Sequence, residues 1–244
     1  MGDSVRNLSF NRSFREGLSE LLEPRNLAIL ITVPMLVALA SLVEGKLEIQ
    51  GTIGPFSRYQ TVRMLVWNVA VMVSLMATIR GGLTLGRLWR FEKTLSGGDA
   101  AGHVLGTVLS LFLCYFGVLC VMGAAVMLAT QKLDPSGFLF LAVWCTPVLF
   151  WGVSLSSLLS LLADGPGAAW MGACYLILSL VPGLYGREVT PWLVPPIGRL
   201  VASTVNGVFC PRVLLAIVLH GLACLVLAGA VYRLRSRKAS RRWP

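Results

Sequence analysis

Residues 104–130 read VLGTVLSLFLCYFGVLCVMGAAVMLAT, twenty-seven positions without one Asp, Glu, Lys or Arg. At about 1.5 Å per helical residue this stretch is roughly 40 Å long, more than the roughly 30 Å of hydrocarbon in a bilayer. A helix of a soluble domain keeps one polar face, and this one has none, so its solvent is lipid. Five further runs repeat the pattern at 27–43, 64–79, 137–163, 168–184 and 213–231. The shorter ones need a few flanking residues to span, and the longer ones need tilt. An unpaired peptide group in hydrocarbon costs several kcal/mol, which only helices and closed barrels avoid, and ten-residue alternating strands are absent from the sequence. The expected fold is all-α: a polytopic membrane bundle of six transmembrane helices over 27–232.

Basic residues, which are retained preferentially on the cytoplasmic side, orient that bundle. One set of segments holds fourteen: Arg6, Arg12, Arg15, Arg25, Arg80, Arg87, Arg90, Lys93, Arg233, Arg235, Arg237, Lys238, Arg241 and Arg242. The alternate set holds seven: Lys46, Arg58, Arg63, Lys132, Arg187, Arg199 and Arg212. Both termini are therefore expected in the cytoplasm, with the chain multi-pass in the cytoplasmic or inner membrane. The net charge of +10 follows from this asymmetry and from attraction to anionic lipid. It implies no nucleic-acid partner, since no basic face interleaved with aromatics stands on a soluble domain. Residues 1–23 lack the apolar core of a cleavable signal, so the first run is expected to stay as an anchor.

The segments between the runs carry their own patterns. Over 1–26, Phe10, Phe14, Leu18, Leu21 and Leu22 recur at helical spacing, opposite Arg12, Arg15, Glu16, Ser19, Glu20 and Glu23. This predicts an N-terminal amphipathic interfacial helix that Pro24 ends. Over 80–103, Leu85, Leu88, Trp89 and Leu95 form the apolar set of a short amphipathic helix stopped near Gly97 and Gly98. The stretch 185–212, punctuated by Pro191, Pro195, Pro196 and Pro211, is too long for a turn and too apolar for a free loop. It is expected to form an outer re-entrant hairpin, with one or two short helices between 197 and 209 and Trp192 at the interface. A basic tail, 233–244, closes the chain.

The chemistry of an enzyme is missing from this pattern. The histidines are His103, at a run boundary, and His220, inside the last run. Neither belongs to a His-Glu-x-x-His motif, and no paired carboxylates lie within a run. Cys114, Cys120, Cys145, Cys174 and Cys224 fall inside runs and Cys210 near the outer face, none with the spacing of a zinc or redox motif. No metal site is expected. Charge-free spans also weigh against ion-coupled transport. His220 is the candidate for contact with a substrate path, against the plainer role of an imidazole hydrogen-bonded to a neighbouring helix. Ser154, Ser156, Ser157 and Ser160 read as packing residues of the fourth span. No Gly-x-x-x-x-Gly-Lys-Ser/Thr loop occurs, so energy for uphill movement must come from another chain.

With an interfacial helix first, six spans, a helical connection between the second and third, and an outer hairpin before the sixth, the layout resembles the permease subunits of ABC exporters of the ABC-2 type. The resemblance implies a transport subunit, not an enzyme, that pairs with a second permease chain around the translocation path. It implies separate ABC ATP-binding subunits, which hold ATP and Mg while this chain binds no cofactor directly. Docking falls to the first cytoplasmic connection, where this sequence has Arg87, Arg90, Phe91, Glu92, Thr94, Leu95 and Asp99. Family members often carry an acidic residue near the end of the second span and a proline in the connection; this chain has Arg80 and Ser96-Gly97-Gly98 there. A haem-exporter membrane subunit of cytochrome maturation, or a membrane scaffold or enzyme without an ATPase, are the alternatives.

Overall fold

The computed structural model describes residues 2–24, 58–91, 100–129, 139–184 and 194–240, with isolated positions between 28 and 36. Every element among them is helical: α1 (Gly2–Leu21), α2 (Arg58–Phe91), α3 (Ala100–Ala129), a π-helical turn (Leu141–Cys145) leading into α4 (Thr146–Leu162), α5 (Gly165–Leu184), α6 (Ile197–Val205) and α7 (Pro211–Ser240). Four stretches are long and apolar enough to cross a membrane: Arg63–Leu85, Gly102–Leu128, Leu141–Leu162 and Pro211–Arg235. The fifth expected span coincides with α5, whose apolar stretch Gly165–Val181 is shorter. The run at 27–43 lies almost wholly outside the described residues.

Packing divides the bundle into two ends. At one, the last turns of α2 meet the first turns of α3 and α5: a Cβ on Gly81 would sit 2.9 Å from Leu111 Cδ2, and one on Gly82 would sit 3.0 Å from the Ala169 backbone nitrogen. At the other, the first turns of α2 meet α6 and the π turn. Between them Trp67, Tyr115, Leu119, Leu149, Trp151 and Ile217 are fully buried, the large apolar payload that fixes which helix faces turn inward. In lipid this core gains little from the hydrophobic effect, so close van der Waals packing carries association.

The Gly81-Gly82 pair is where the sequence reading and the structure differ. The second run ends at 79 and a separate connection is expected from 80, and a glycine costs about 1 kcal/mol relative to alanine in a helix interior. Instead α2 continues without interruption from the second span to Phe91. The missing side chains let α2 lie directly on the backbone of α5 and the Ser156 hydroxyl of α4, and that packing outweighs the propensity penalty. Leu85, expected on the apolar face of a separate short helix, is wholly buried in the bundle.

The fourth run is also not a uniform helix. Pro147 lacks an N–H and crowds the preceding turn. Just before it the ladder widens, so that the Thr146 N–H reaches back five residues to the Leu141 carbonyl, with the Thr146 hydroxyl donating to the same oxygen at 3.2 Å. Such insertions rotate the residues on one side of them relative to those on the other. Here they set the direction of Phe140 and Trp144.

α1 packs along the start of α3, the two helices advancing in the same direction: Ser13 hydrogen-bonds His103, and Gly17 lies against Ser110. Its most buried positions are Ser13, Gly17 and Leu21, a seam displaced from the expected Phe10–Leu22 face, and Leu22 is exposed. The reason is distance. A Cβ on Gly106 of α3 would lie 2.7 Å from the Phe10 carbonyl oxygen, so the seam needs small residues, while Phe10 and Phe14 stack on one another at its flank with centroids 6.2 Å apart. On the outer face Arg12 pairs with Glu16 at 2.8 Å, an exposed i,i+4 contact worth only about 0.3–0.5 kcal/mol.

Candidate functional site

The best-formed polar arrangement caps the end of the bundle opposite α1. Pro195 and Pro196 turn the chain inward, and α6 buries Ile197, Leu200, Thr204 and Val205 against its neighbours while Arg199 stays exposed. The helix stops at a glycine C-cap. Gly207 has φ +79°, in the region only glycine enters freely. Its N–H donates to the Thr204 carbonyl at 3.1 Å and that of Val208 to the Ser203 carbonyl at 2.8 Å, the paired bonds of a Schellman ending.

Two residues from the first turns of α2 hold this ending in place. Arg63 Nη1 donates to the Thr204 carbonyl at 3.1 Å, a cation at the negative end of the helix dipole. Trp67 Nε1 donates to Thr204 Oγ1 at 2.8 Å, and that hydroxyl donates to the Leu200 carbonyl at 2.7 Å. Phe140 sits beneath both, its ring 5.7 Å from the Arg63 guanidinium and edge-on to Trp67 at 6.0 Å. Trp144 meets Phe209 edge-on at 5.2 Å, and Val208 and Phe209 then project outward, exposed. The expected outer hairpin is thus represented by one nine-residue helix latched to the bundle; Trp192 lies outside the described residues.

The latch has a measurable worth. Thr204→Val keeps the shape but removes the acceptor for Trp67 Nε1, and a buried donor left without a partner costs about 1–3 kcal/mol. Thermal unfolding in detergent should show that loss for the single variant, and adding Trp67→Phe should recover part of it; additive losses would show that the bond is not stabilising.

At the other end, Arg87, Arg90 and Phe91 occupy the final turns of α2. Glu92, Thr94, Leu95 and Asp99 lie outside the described residues. The same end holds a cluster the sequence reading did not assemble. His103, buried at the start of α3, hydrogen-bonds Ser13 of α1 through Nδ1 and lies against the Tyr232 ring of α7, 5.4 Å between centroids. It ties three helices that are remote in sequence.

Hydroxyls make up most of the side-chain polar groups described between the two ends. His220 is half-buried on α7, and its Nδ1 donates to the Ala216 carbonyl of its own helix at 3.0 Å. Ser154, Ser156, Ser157 and Ser160 each donate to a carbonyl three or four residues back, at 2.8–2.9 Å, a local pairing that keeps hydroxyls out of hydrocarbon. Thr78 does the same to Ser74. Two wholly buried polar atoms, Ser74 Oγ and Trp151 Nε1, have no hydrogen-bond partner among the described residues. No group of three His, Cys, Asp or Glu side chains that could hold a metal occurs among those residues.

No family model, curated protein or solved structure matches the chain. Its functional reading therefore rests on what the helices and their two ends can do.

Proposed function

We propose that this chain is the permease subunit of an ATP-driven exporter of the ABC-2 type, hydrolysing nothing itself. Six spans and two cytoplasmic termini belong to this reading. So do a second permease chain around the path and separate ATP-binding subunits that carry ATP and Mg. The observation that supports it most is the placement of α6: a short helix turned back onto the bundle between its last two apolar helices, at the end opposite α1 and the end of α2. That is where a permease of this kind has its outer hairpin, with the docking connection on the far side. Closure of the ATPase pair would push on Arg87, Arg90 and Phe91 at the end of α2, and on the residues that follow, and rock the helices around a path whose walls are neutral. Such walls suit amphipathic or lipid-linked cargo better than small ions.

Purification of the chain from its native cells in mild detergent, with mass spectrometry of what stays bound, tests this. A stoichiometric phosphate-loop ATPase is the expected result; an intact bundle without one would refute the reading in favour of a scaffold or membrane enzyme. Glu92→Arg should lower recovery of that ATPase at least about tenfold, the loss of a contact worth roughly 1.4 kcal/mol, with insertion unchanged. Equal recovery would remove Glu92 from the docking surface.

A further inference from the structure

Hydroxyls in this bundle have a regular way out of hydrocarbon. Among the described buried serines, Ser110, Ser154, Ser156, Ser157, Ser160 and Ser179 each donate to a carbonyl three or four residues back on their own helix, at 2.8–2.9 Å, and Ser13 is held by His103. Ser74 differs. It is wholly buried on α2, and its Oγ has no hydrogen-bond partner among the described residues. Indole donors divide in the same way: Trp67 Nε1 donates to Thr204, whereas Trp151 Nε1, equally buried on α4, has no partner among those residues. A buried donor without an acceptor is rare in folded proteins, because nothing offsets its desolvation.

The two donors are neighbours in the fold. A Cβ on Gly152, the residue after Trp151, would lie 3.3 Å from the Ser74 carbonyl oxygen and 3.9 Å from Ser74 Cβ, so Ser74 stands against the turn of α4 that carries Trp151. α5 closes the third side. Gly172 lies against Thr78, one turn along α2 from Ser74, and Tyr175, nearly one turn along α5, packs its ring 5.9 Å from that of Trp151. Ser74, Trp151 and Tyr175 are each displaced from these glycine contacts toward the α6 end, so three helices contribute to one layer near the middle of the bundle.

We propose that this layer, between α2, α4 and α5, is a binding site for a neutral oxygen that accepts hydrogen bonds from Ser74 Oγ–H and Trp151 Nε1–H. Hydroxyl, carbonyl and water oxygens each carry two lone pairs and can take both donors at once. Neither donor brings a charge, so an ionic guest would enter without compensation from them. The oxygen belongs to a water molecule or to the head of a small amphiphile that has entered from the bilayer; the two share the chemistry of the site. The site is independent of the permease reading.

The test uses the full chain in detergent micelles, with tryptophan labelled at the indole nitrogen and observed by NMR. The Trp151 Nε1–H resonance is assigned by its loss in Trp151→Phe or Trp151→Tyr. In the unmodified chain it should show a cross-peak to water, the result for a water guest, or move saturably with added dodecanol and not with dodecane, the result for the hydroxyl of an amphiphile. Ser74→Ala, which lacks one of the two donors, should weaken either response. The water cross-peak should shrink, or the half-saturating dodecanol concentration should rise about two- to twelvefold, the span for one neutral hydrogen bond. A Trp151 proton that responds to neither probe in the unmodified chain would overturn the proposal. So would a response that Ser74→Ala leaves unchanged, or one that dodecane reproduces.

Discussion

Gly106→Leu should detach α1 from the bundle while leaving the spans folded. The added Cβ would fall 2.7 Å from the Phe10 carbonyl oxygen and 3.2 Å from the Phe14 nitrogen, and backbone cannot rotate away as a side chain can. Overpacking of this kind costs about 1–3 kcal/mol, a factor of about five to 150 in the docking equilibrium. Ser13→Cys, buried in the seam, reports it: the rate of maleimide labelling at residue 13, read by peptide mass spectrometry, should rise by that factor. Gly117 on the same helix has nothing within 4 Å, so Gly117→Leu should leave labelling unchanged. If both leucines behave alike, the seam is not held by close approach.

Gly82→Leu should have the larger effect, on the bundle itself. Its Cβ would meet Ala169 N at 3.0 Å, Ala169 Cα at 3.2 Å and the Ala168 carbonyl carbon at 3.3 Å, three backbone atoms of α5 at once. Relief requires moving α2 off α5 along its last turns, where Leu85 and Ala168 are wholly buried. The expected loss is at or above the upper part of the overpacking range, about 3 kcal/mol, seen as a lowered unfolding temperature in detergent and a smaller yield of monodisperse protein. Gly82→Ala should fall between, because its methyl asks for a few tenths of an ångström and nothing more. An unfolding temperature unchanged by leucine would mean that α2 and α5 do not cross as described.

Much of the helical organisation was legible in the sequence because charge-free runs are long-range signals that no local detail reverses. Four of the runs are helices of membrane-crossing length, and a short helix begins at Ile197, directly after Pro195-Pro196. What could not be read is what depends on distance between helices. Phenylalanines dominate any reading of residues 10–22, yet the seam is made by Ser13 and Gly17, whose value lies in what they lack. Nothing local to Gly81 and Gly82 shows that they lie against Ser156 and Ala169. Pro147 was visible, but the π-helical turn before it depends on where the freed carbonyls find donors. The bond from Trp67 to Thr204 joins positions 137 residues apart, and nothing local to either announces it. Of the residues read as contacts for an ATPase, Arg87, Arg90 and Phe91 continue α2, and the others lie outside the described residues.

The uninterrupted course of α2 has a geometric consequence. Near its middle it is pinched: a Cβ on Gly152 of α4 would lie 2.9 Å from Thr78 Oγ1, and one on Gly172 of α5 would lie 2.5 Å from Thr78 Cγ2. From that crossing to Arg63 is about 22 Å and to Phe91 about 20 Å at 1.5 Å per residue. A rigid rotation of about 10° around the pinch therefore shifts both extremities by about 3–4 Å in opposite directions. At one extremity that is the length of the bonds by which Arg63 and Trp67 grip Thr204. A seesaw no larger than this, applied at Phe91, is enough to unlatch α6 at the opposite end of the bundle.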